Sequence, residues 1–214
     1  MSRTTSPIEA GYTRWSATYD TDRNLTRDLD QSALHALVAS RRFGRVLELG
    51  CGTGKNTAYL ATIAEAVHAV DFSEGMLGQA RAKPFPSHVT FSQGDLTRRW
   101  ATDDASTDLV TCNLVLEHIE NLTHVFAEAA RVLRDGGRML VSELHPFRQY
   151  LGSQAGFTEG DTEVRLTAFT HHISDFVTAA ESASLTLHSL REWWHDEDRR
   201  DGKPPRLLTL EFAK

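Results

Sequence analysis

The stretch Val46-Leu-Glu-Leu-Gly50-Cys-Gly52-Thr-Gly54 decides the fold predicted for this 214-residue chain. It begins as a short apolar run typical of a buried strand, and a helical pattern follows it from Asn56. Between the two, three glycines at alternate positions permit positive φ values and let a ligand approach the backbone closely. The start of the following helix offers unpaired N–H groups and the positive end of a dipole. The stretch therefore predicts a ligand site at the carboxyl end of a strand.

Alternating strands and helices extend on both sides of this turn. The predicted helices span residues 25–39, 56–64, 74–83, 121–133 and 168–183. The predicted strands span residues 45–49, 66–70, 89–92, 108–112, 138–142, 185–190 and 206–212. Five strands alternate with helices, which predicts a parallel sheet with right-handed crossovers. The last two strands are joined by a loop without a helix. The expected fold is therefore α/β, a seven-stranded, mostly parallel sheet with an antiparallel C-terminal edge hairpin and helices on both faces.

Composition and charge exclude several classes of protein. Apolar residues make up 40% of the chain and charged residues 24%, so a packed core is expected. The formal net charge of -6 argues against nucleic acid as a partner, because neutralising phosphates needs a basic face. The sequence has no stretch of 18 apolar residues and no apolar core near its start, so neither a membrane span nor a signal peptide is expected. Two cysteines cannot form a disulfide framework, which predicts a cytoplasmic location.

Asp71 lies at the end of the second predicted strand, 21 residues after Gly50. A carboxylate at that place can accept hydrogen bonds from both hydroxyls of a ribose. A dinucleotide-binding turn would need a third glycine where Lys55 stands. A phosphate-binding loop of the Gly-x4-Gly-Lys-Ser/Thr type would need a glycine at Leu49 and a hydroxyl residue at Asn56. Both of these nucleotide patterns therefore fail.

The pattern Glu48-x-Gly50-x-Gly52-x-Gly54 resembles motif I of the class I S-adenosylmethionine-dependent methyltransferases. Four further segments resemble motifs of the same family in the same order. They are the acidic position 71, the adenine segment 93–96, the fourth-strand segment 108–118 and the turn 130–137. The resemblance covers residues 12 to about 145, and it implies a Rossmann-like fold with S-adenosylmethionine as the cofactor.

The resemblance also implies which residues hold the cofactor. Asp71 corresponds to the family's ribose ligand, and Asp95 to the acceptor for the exocyclic amine of adenine. Glu48 holds either backbone N–H groups or the ammonium of the methyl donor. The full set of predicted cofactor-binding residues is Tyr19, Glu48, Gly50, Gly52, Asp71, Phe72, Met76, Asp95, Leu96 and Asn113. The alternative for the glycines is a strand-to-helix turn without a ligand, and for Asp71 a helix cap.

Methyl transfer from a sulfonium requires alignment and the exclusion of water, and a general base only when the acceptor carries a proton. Three histidines near strand ends or the following helix are candidates for that base: His118, His145 and His171. His145 together with His171 is preferred, because a histidine at position 118 is common in the family and can serve the fold or the cofactor. The alternative for each is a structural or surface histidine.

Two segments are expected to cover the site. Residues 1–24 form an N-terminal arm or lid ahead of a single methyltransferase domain at 25–214. In the lid, Tyr19 is expected to bind the donor's carboxylate and Trp15 to close over the substrate. The segment 144–168, too long for an ordinary connection, is expected to cap the site as a substrate-choosing insert. Its candidate substrate-binding residues are Phe147, Arg148 and Tyr150.

These observations predict S-adenosylmethionine-dependent methyl transfer to a small-molecule acceptor through oxygen, nitrogen or carbon, in secondary metabolism. A cyclase or lyase that consumes the same cofactor, and a non-catalytic cofactor-binding module, stay open as alternatives. No metal is expected, because the chain has no His-x3-His or Cys-x2-Cys pair and Asn113 stands where metal-assisted relatives place a carboxylate. A monomer or homodimer with no nucleic-acid or membrane partner is expected.

Overall fold

The computed structural model describes residues 6–214 as alternating helices and strands. The helices are α1 (Pro7–Trp15), α2 (Leu25–Val38), α3 (Thr57–Ile63), α4 (Glu74–Arg81), α5 (Leu122–Val132), α6 (Pro146–Tyr150), α7 (Ile173–Ser182) and α8 (Asp196–Arg200), with a 3-10 turn at Leu116–His118. The strands are β1 (Phe43–Leu49), β2 (Ala64–Asp71), β3 (Val89–Gln93), β4 (Thr107–Asn113), β5 (Leu133–Leu144), β6 (Gly156–Glu159), β7 (Thr162–Arg165), β8 (Thr186–Trp193) and β9 (Leu207–Ala213).

The main sheet has seven strands in the order β3-β2-β1-β4-β5-β9-β8. The first five pair in parallel, whereas β9 runs antiparallel to both β5 and β8. The predicted fold class is confirmed, including the antiparallel pair at the C-terminal edge. The strand order reverses between β1 and β4, and in such sheets ligands bind beyond the carboxyl ends of the strands at that point.

The core lies on both faces of this sheet. On one face α5 and α7 pack over β4, β5 and β9, where the rings of Phe126 and Phe212 meet edge to face at 5.3 Å. On the other face Leu34 of α2 and Leu60 of α3 pack against Val46 of β1. The central strands are therefore covered from both sides, which explains why most residues of β1 and β4 are buried without alternation.

Three segments differ from the sequence-based expectation. The N-terminal arm is helical from Pro7, because the Ser6 side chain caps the helix by accepting from the N–H of Glu9. The insert 144–168 is not irregular, since it contains α6 and the antiparallel hairpin β6–β7. The loop 196–205 contains α8. The part of the arm at residues 1–5 lies outside the described residues.

The helix expected at 168–183 begins only at Ile173. Asp175 accepts from the backbone N–H of His172 at 2.8 Å, which closes the helix start there. Within residues 6–214, no helix is both long and apolar enough to cross a membrane.

Candidate active site

A cavity of about 480 Å³ opens beyond the carboxyl ends of β1, β2, β3 and β4. Each of these strands contributes residues from the loop that follows it. The residues that line the cavity are Ser6, Ile8, Glu9, Tyr12, Tyr19, Gly50, Gly52, Asp71, Phe72, Met76, Asp95, Leu96, Thr97, Arg98, Asn113, Leu114, Val115, His118 and Ile119. Nine of the ten predicted cofactor-binding residues are among them, and the exception is Glu48.

The glycine turn forms a wall of bare backbone. Gly50 and Gly52 have φ values of 69° and 56°, which L side chains rarely adopt. A Cβ atom on Gly50 would lie 2.1 Å from Cγ2 of Val115, which also lines the cavity. Glycine is therefore required at position 50 both by conformation and by the close approach of the loop after β4.

Asp71 joins this turn to the end of β2. Its Oδ2 accepts from the N–H of Gly52 at 2.8 Å, and its Oδ1 accepts from the N–H of Ser73 at 2.8 Å. Each carboxylate oxygen keeps a second lone pair, and the side chain lines the cavity. Burial raises the pKa of Asp71 to about 6, against the three backbone hydrogen bonds, from Ser73, Gly52 and Phe72, that lower it. The helix-cap role and the ligand-binding role are therefore compatible in this residue.

Asp95 projects from the loop after β3. Its Oδ1 accepts from both the N–H and the hydroxyl of Thr97, at 2.9 and 2.7 Å. This turn leaves Oδ2 for another donor, with Nε of Arg98 3.8 Å away. Leu96 and Met76 add buried apolar surface to the same cavity. The arrangement suits a planar ring that carries an amine donor at its edge.

Asn113 at the end of β4 has an unsatisfied acceptor. Its Nδ2 donates to Oδ1 of Asp30 at 2.8 Å, while its own Oδ1 is buried without a hydrogen-bond partner. Oδ2 of Asp30 accepts from Nδ2 of Asn56 at 2.8 Å. A buried acceptor without a partner is rare, so this oxygen of a cavity-lining residue is a candidate acceptor for a cationic or N–H donor on a ligand.

Sequence reasoning missed Asp30. The residue is 3% exposed and lies one turn before Ala33 and Leu34, on the buried face of α2. A carboxylate on the apolar face of a predicted helix was the signal that could have identified it, because such a group needs buried partners.

Glu48 does not reach the cavity. It is buried in β1, and Oε2 accepts from the hydroxyl of Thr57 at 2.5 Å, at the first residue of α3. Burial raises the pKa of Glu48 to about 8. In this structure the predicted cofactor contact of Glu48 is replaced by one to Thr57, so the side chain supports the helix that follows the glycine turn.

Of the three candidate histidines, His118 alone lines the cavity. Its Nδ1 lies 2.7 Å from the carbonyl oxygen of Thr167, and its Nε2 lies 2.8 Å from the hydroxyl of Tyr12. A carbonyl can only accept, so Nδ1 carries the proton and Nε2 accepts from Tyr12. Burial raises the pKa of Tyr12 well above its usual value, which keeps the phenol protonated as that donor.

The structure does not bring the preferred pair, His145 and His171, to the cavity. Nδ1 of His145 accepts from the N–H of Phe147 and caps α6, while its Nε2 lies 3.0 Å from Oε1 of Glu192. Nε2 of His171 lies 3.1 and 2.9 Å from the carbonyl oxygens of Leu116 and Ile119. Both imidazoles hold loops together, and neither lines the cavity.

The four predicted substrate-binding residues also lie outside the cavity lining. Trp15 is 5% exposed, stacks on Phe157 at 5.2 Å and donates from Nε1 to Asp22. Arg148 pairs with the buried Asp198 at 2.9 Å, and so is held by protein charge. Phe147 and Tyr150 are 49% and 56% exposed on the outer surface of α6.

Tyr19, a predicted cofactor-binding residue, lines the cavity, and an arginine packs against its ring. The guanidinium of Arg27 lies 3.9 Å from the centroid of the Tyr19 ring and donates to its backbone carbonyl. Burial raises the pKa of Tyr19 to about 12, so its hydroxyl is a neutral donor.

Among residues 6–214, no three histidine, cysteine, aspartate or glutamate side chains are grouped as metal ligands would be.

Comparison with known proteins places this architecture in a family. The methyltransferase-domain family matches residues 47–141. An uncharacterized methyltransferase of Emericella nidulans is 31% identical over an alignment that covers 84% of this chain and 76% of that protein. A ubiquinone biosynthesis O-methyltransferase of Xanthomonas oryzae pv. oryzae is 32% identical, with 73% of this chain and 70% of that protein covered.

A solved structure agrees with the fold. The S-adenosylmethionine-dependent methyltransferase of Mesorhizobium loti superposes with a TM-score of 0.74 at 19% identity, covering 89% of this chain and 100% of that one. The predicted motifs, the sheet order and the sequence relatives agree with one another. The chain therefore belongs to the class I S-adenosylmethionine-dependent methyltransferases, and its cofactor is S-adenosylmethionine.

Proposed function

We propose that this enzyme transfers the methyl group of S-adenosylmethionine to a small-molecule acceptor in the cavity beneath α1. The observation that carries the proposal is the lining of that one cavity. It brings the glycine turn and Asp71 together with His118, an imidazole whose Nε2 has a lone pair directed toward the cavity-lining hydroxyl of Tyr12.

The cofactor's parts match groups on the walls. Asp71 would accept from the ribose hydroxyls, and Oδ2 of Asp95 from the adenine amine. The orphaned Oδ1 of Asn113 would accept from the ammonium of the methionine portion. The neutral hydroxyl of Tyr19 would donate to its carboxylate. When bound, the cofactor supplies a methyl group on a positively charged sulfur with a neutral leaving group, and the chain itself aligns the acceptor and excludes water.

A small acceptor is favoured because α1 covers the cavity. Ile8 and Tyr12 of this helix form part of its wall. Thr13 contacts Ser73 at the start of α4 through their hydroxyls, 3.0 Å apart. A cavity of about 480 Å³ is within the range of small-molecule sites, and it must accommodate the cofactor as well.

We propose a lid and a capping insert on the same grounds. The lid is the arm up to residue 24, and the methyltransferase domain begins at residue 25. The insert 144–168 holds the lid from outside, because Phe157 stacks on Trp15 and Leu166 packs against Gly11. In this arrangement the insert shapes the site through the lid helix rather than through Phe147, Arg148 or Tyr150.

The setting we propose is secondary metabolism in the cytoplasm, with no nucleic-acid acceptor. The family resemblance supports secondary metabolism, and the two free buried cysteines support the cytoplasm. The net charge of -6 argues against a nucleic-acid acceptor. The O-methylation named for the Xanthomonas relative favours a hydroxyl acceptor over an amine or a carbon acid.

Product analysis tests the proposed function. The pure chain is incubated with methyl-labelled S-adenosylmethionine and a panel of phenols and amines, with catechol and tyramine among them. We expect labelled methyl in an acceptor together with an equal amount of S-adenosylhomocysteine. Methylthioadenosine would show a cyclase or lyase instead. Tight cofactor binding without either product, over a broad panel, would show a non-catalytic binding module.

A further inference from the structure

Three titratable side chains meet at one wall of the cavity: Tyr12, His118 and Glu117. They come from distant parts of the chain, with Tyr12 on α1 and the other two in the 3-10 turn after β4. Tyr12 and His118 line the cavity, whereas Glu117 lies behind them. The side chains of His118 and Glu117 are only 7% and 6% exposed, so the group is shielded from water.

The direction of the hydrogen bonds is set by the backbone. Because the Thr167 carbonyl takes the Nδ1 proton of His118, the Nε2 lone pair receives the Tyr12 hydroxyl at 2.8 Å. The two rings also meet edge to face at 5.3 Å between centroids. A proton that arrives on Tyr12 oxygen from the cavity can therefore displace the Tyr12 proton onto Nε2, without any rearrangement of the imidazole.

Glu117 lies where it would stabilise the resulting imidazolium. Its Oε1 is 4.0 Å from Nε2 of His118, and its Oε2 lies 3.5 Å from Nε2 of Gln149 in α6. Burial raises the pKa of Glu117, while the neighbouring His118 lowers it. A positive charge on His118 would therefore relieve the cost of burying the carboxylate.

We propose that Tyr12 is a catalytic residue that relays the proton of a hydroxyl acceptor, a phenol or an alcohol, to His118, with Glu117 as a positioning residue. The inference rests on the proposed function and names its substrate class. The acceptor oxygen bonds to the methyl carbon, and the carbon–sulfur bond breaks with its electron pair left on sulfur. The acceptor's proton passes to the Tyr12 oxygen while the Tyr12 proton passes to Nε2 of His118. The Tyr12 side chain therefore never becomes an anion.

Other titratable groups face this relay from the elements around it. Asp71 at the end of β2, Glu143 of β5 and Tyr19 after α1 all oppose an anion on Tyr12. Like burial, these groups raise the pKa of Tyr12, so a concerted relay is favoured over a tyrosinate base.

Two phenols of different acidity separate proton removal from methyl transfer. At a mildly alkaline pH, 4-nitrophenol is ionised and catechol is not, so only catechol needs the relay. We expect Tyr12→Phe and His118→Asn to slow methylation of catechol by about 10²-fold or more, with 4-nitrophenol little affected. Asparagine at position 118 can still donate to the Thr167 carbonyl. The matched control is Tyr59→Phe, at a tyrosine outside the cavity whose ring contacts that of His35.

Glu117→Gln tests the positioning role. It removes the charge and keeps an acceptor for Gln149, so we expect a lower kcat for catechol, an unchanged KM for S-adenosylmethionine and a shifted acid limb of the pH–rate profile. A merely structural role for Glu117 would change stability and leave the pH–rate profile where it was.

A second measurement does not depend on turnover. In ¹⁵N NMR spectra of the labelled chain, we expect neutral His118 to carry its proton on Nδ1, and its Nε2 resonance to move in Tyr12→Phe and stay in place in Tyr59→Phe. A proton on Nε2, or equal loss of both phenol activities in Tyr12→Phe, would overturn the relay. A chain that binds the cofactor and methylates no acceptor would overturn the proposed function. In that case the Nε2 resonance would still test the hydrogen bond between Tyr12 and His118 on which the relay depends.

Discussion

The Asp71 carboxylate faces the cavity while both of its oxygens accept backbone N–H groups, one from Gly52 and one from Ser73. It therefore fixes the glycine turn relative to the end of β2, and the same oxygens are available to a ribose. An asparagine has only one acceptor oxygen, and its amide nitrogen would face one of these N–H donors.

We expect Asp71→Asn to weaken S-adenosylmethionine binding by about 10- to 100-fold, as the loss of one or two hydrogen bonds to a charged group implies. Calorimetric titration with the cofactor measures the change. Asp161→Asn, at an exposed position in the turn between β6 and β7, is the control and should bind as the wild type does. Equal affinity in both variants would remove Asp71 from the site.

The pKa of Asp71, raised to about 6 by burial, predicts a pH dependence of binding. The ionised carboxylate is the better acceptor for ribose hydroxyls, so affinity for the cofactor should fall as the pH drops through about 6. Titrations with S-adenosylhomocysteine above and below that pH measure the effect. Affinity that stays constant across this range would show that the ribose does not depend on the charge of Asp71.

Asp30 makes a prediction of its own, because it holds Asn113 from outside the cavity. Asp30→Ala would leave the amide groups of Asn56 and Asn113 without their acceptor, and Asn113 would lose its orientation. We expect a loss of stability of about 1–3 kcal/mol and weaker cofactor binding. Asp28→Ala, on the exposed side of the same helix, should change neither by as much. Urea unfolding and calorimetric titration measure the two effects.

At the scale of elements, the close approach of α1 to α4 depends on a glycine, because the second residue of α4 is Gly75. A Cβ atom on Gly75 would lie 2.9 Å from Cα of Thr13, a backbone atom of α1 that cannot move without the helix. Gly78 lies one turn further along α4, and a Cβ atom added there would have no other atom within 4 Å. An alanine at position 75 would therefore collide with α1, whereas an alanine at position 78 would not.

We expect Gly75→Ala to push α1 outward, reduce stability by about 1–3 kcal/mol and weaken cofactor binding several-fold. Gly78→Ala should instead stabilise the chain by up to about 1 kcal/mol, because alanine favours helix, and leave binding unchanged. Thermal unfolding and calorimetric titration of both variants check this. Equal cofactor affinity in the two would show that α1 is not a lid.

The elements also show how far sequence reasoning could reach. The glycine turn and Asp71 could be predicted, because a strand, a tight turn and a strand-end carboxylate are local patterns that the parallel topology brings to one edge. Tyr12 and His118 are 106 residues apart, and no spacing rule indicates their contact. His145 does follow β5 at the correct edge, but its ring turns to Glu192 and to the start of α6, which strand position alone cannot reveal.

At the scale of the whole molecule, two buried glutamates near the cavity determine how the free energy of unfolding depends on pH. Burial raises the pKa values of Glu48 and Glu143 to about 8, against an ordinary value of 4.5. Between these values the folded chain holds more protons than the unfolded chain, so the free energy of unfolding falls as the pH rises. Below about 6.5 the lowered pKa values of His35, His68 and His145 act in the opposite direction, because the unfolded chain then takes up protons.

We therefore expect the cofactor-free chain to become more stable as the pH falls from 8 to about 6.5, by roughly 1 kcal/mol per pH unit for each of the two glutamates. Urea unfolding at constant ionic strength measures this slope. Glu143→Gln keeps an acceptor for the N–H groups of Val115 and Leu116 and removes the titration, so it should reduce the slope. Glu120→Gln, at an exposed position, should preserve it. Stability that rises with pH over this range would mean that both glutamates are ionised in the folded chain, and that the site can accommodate their charge.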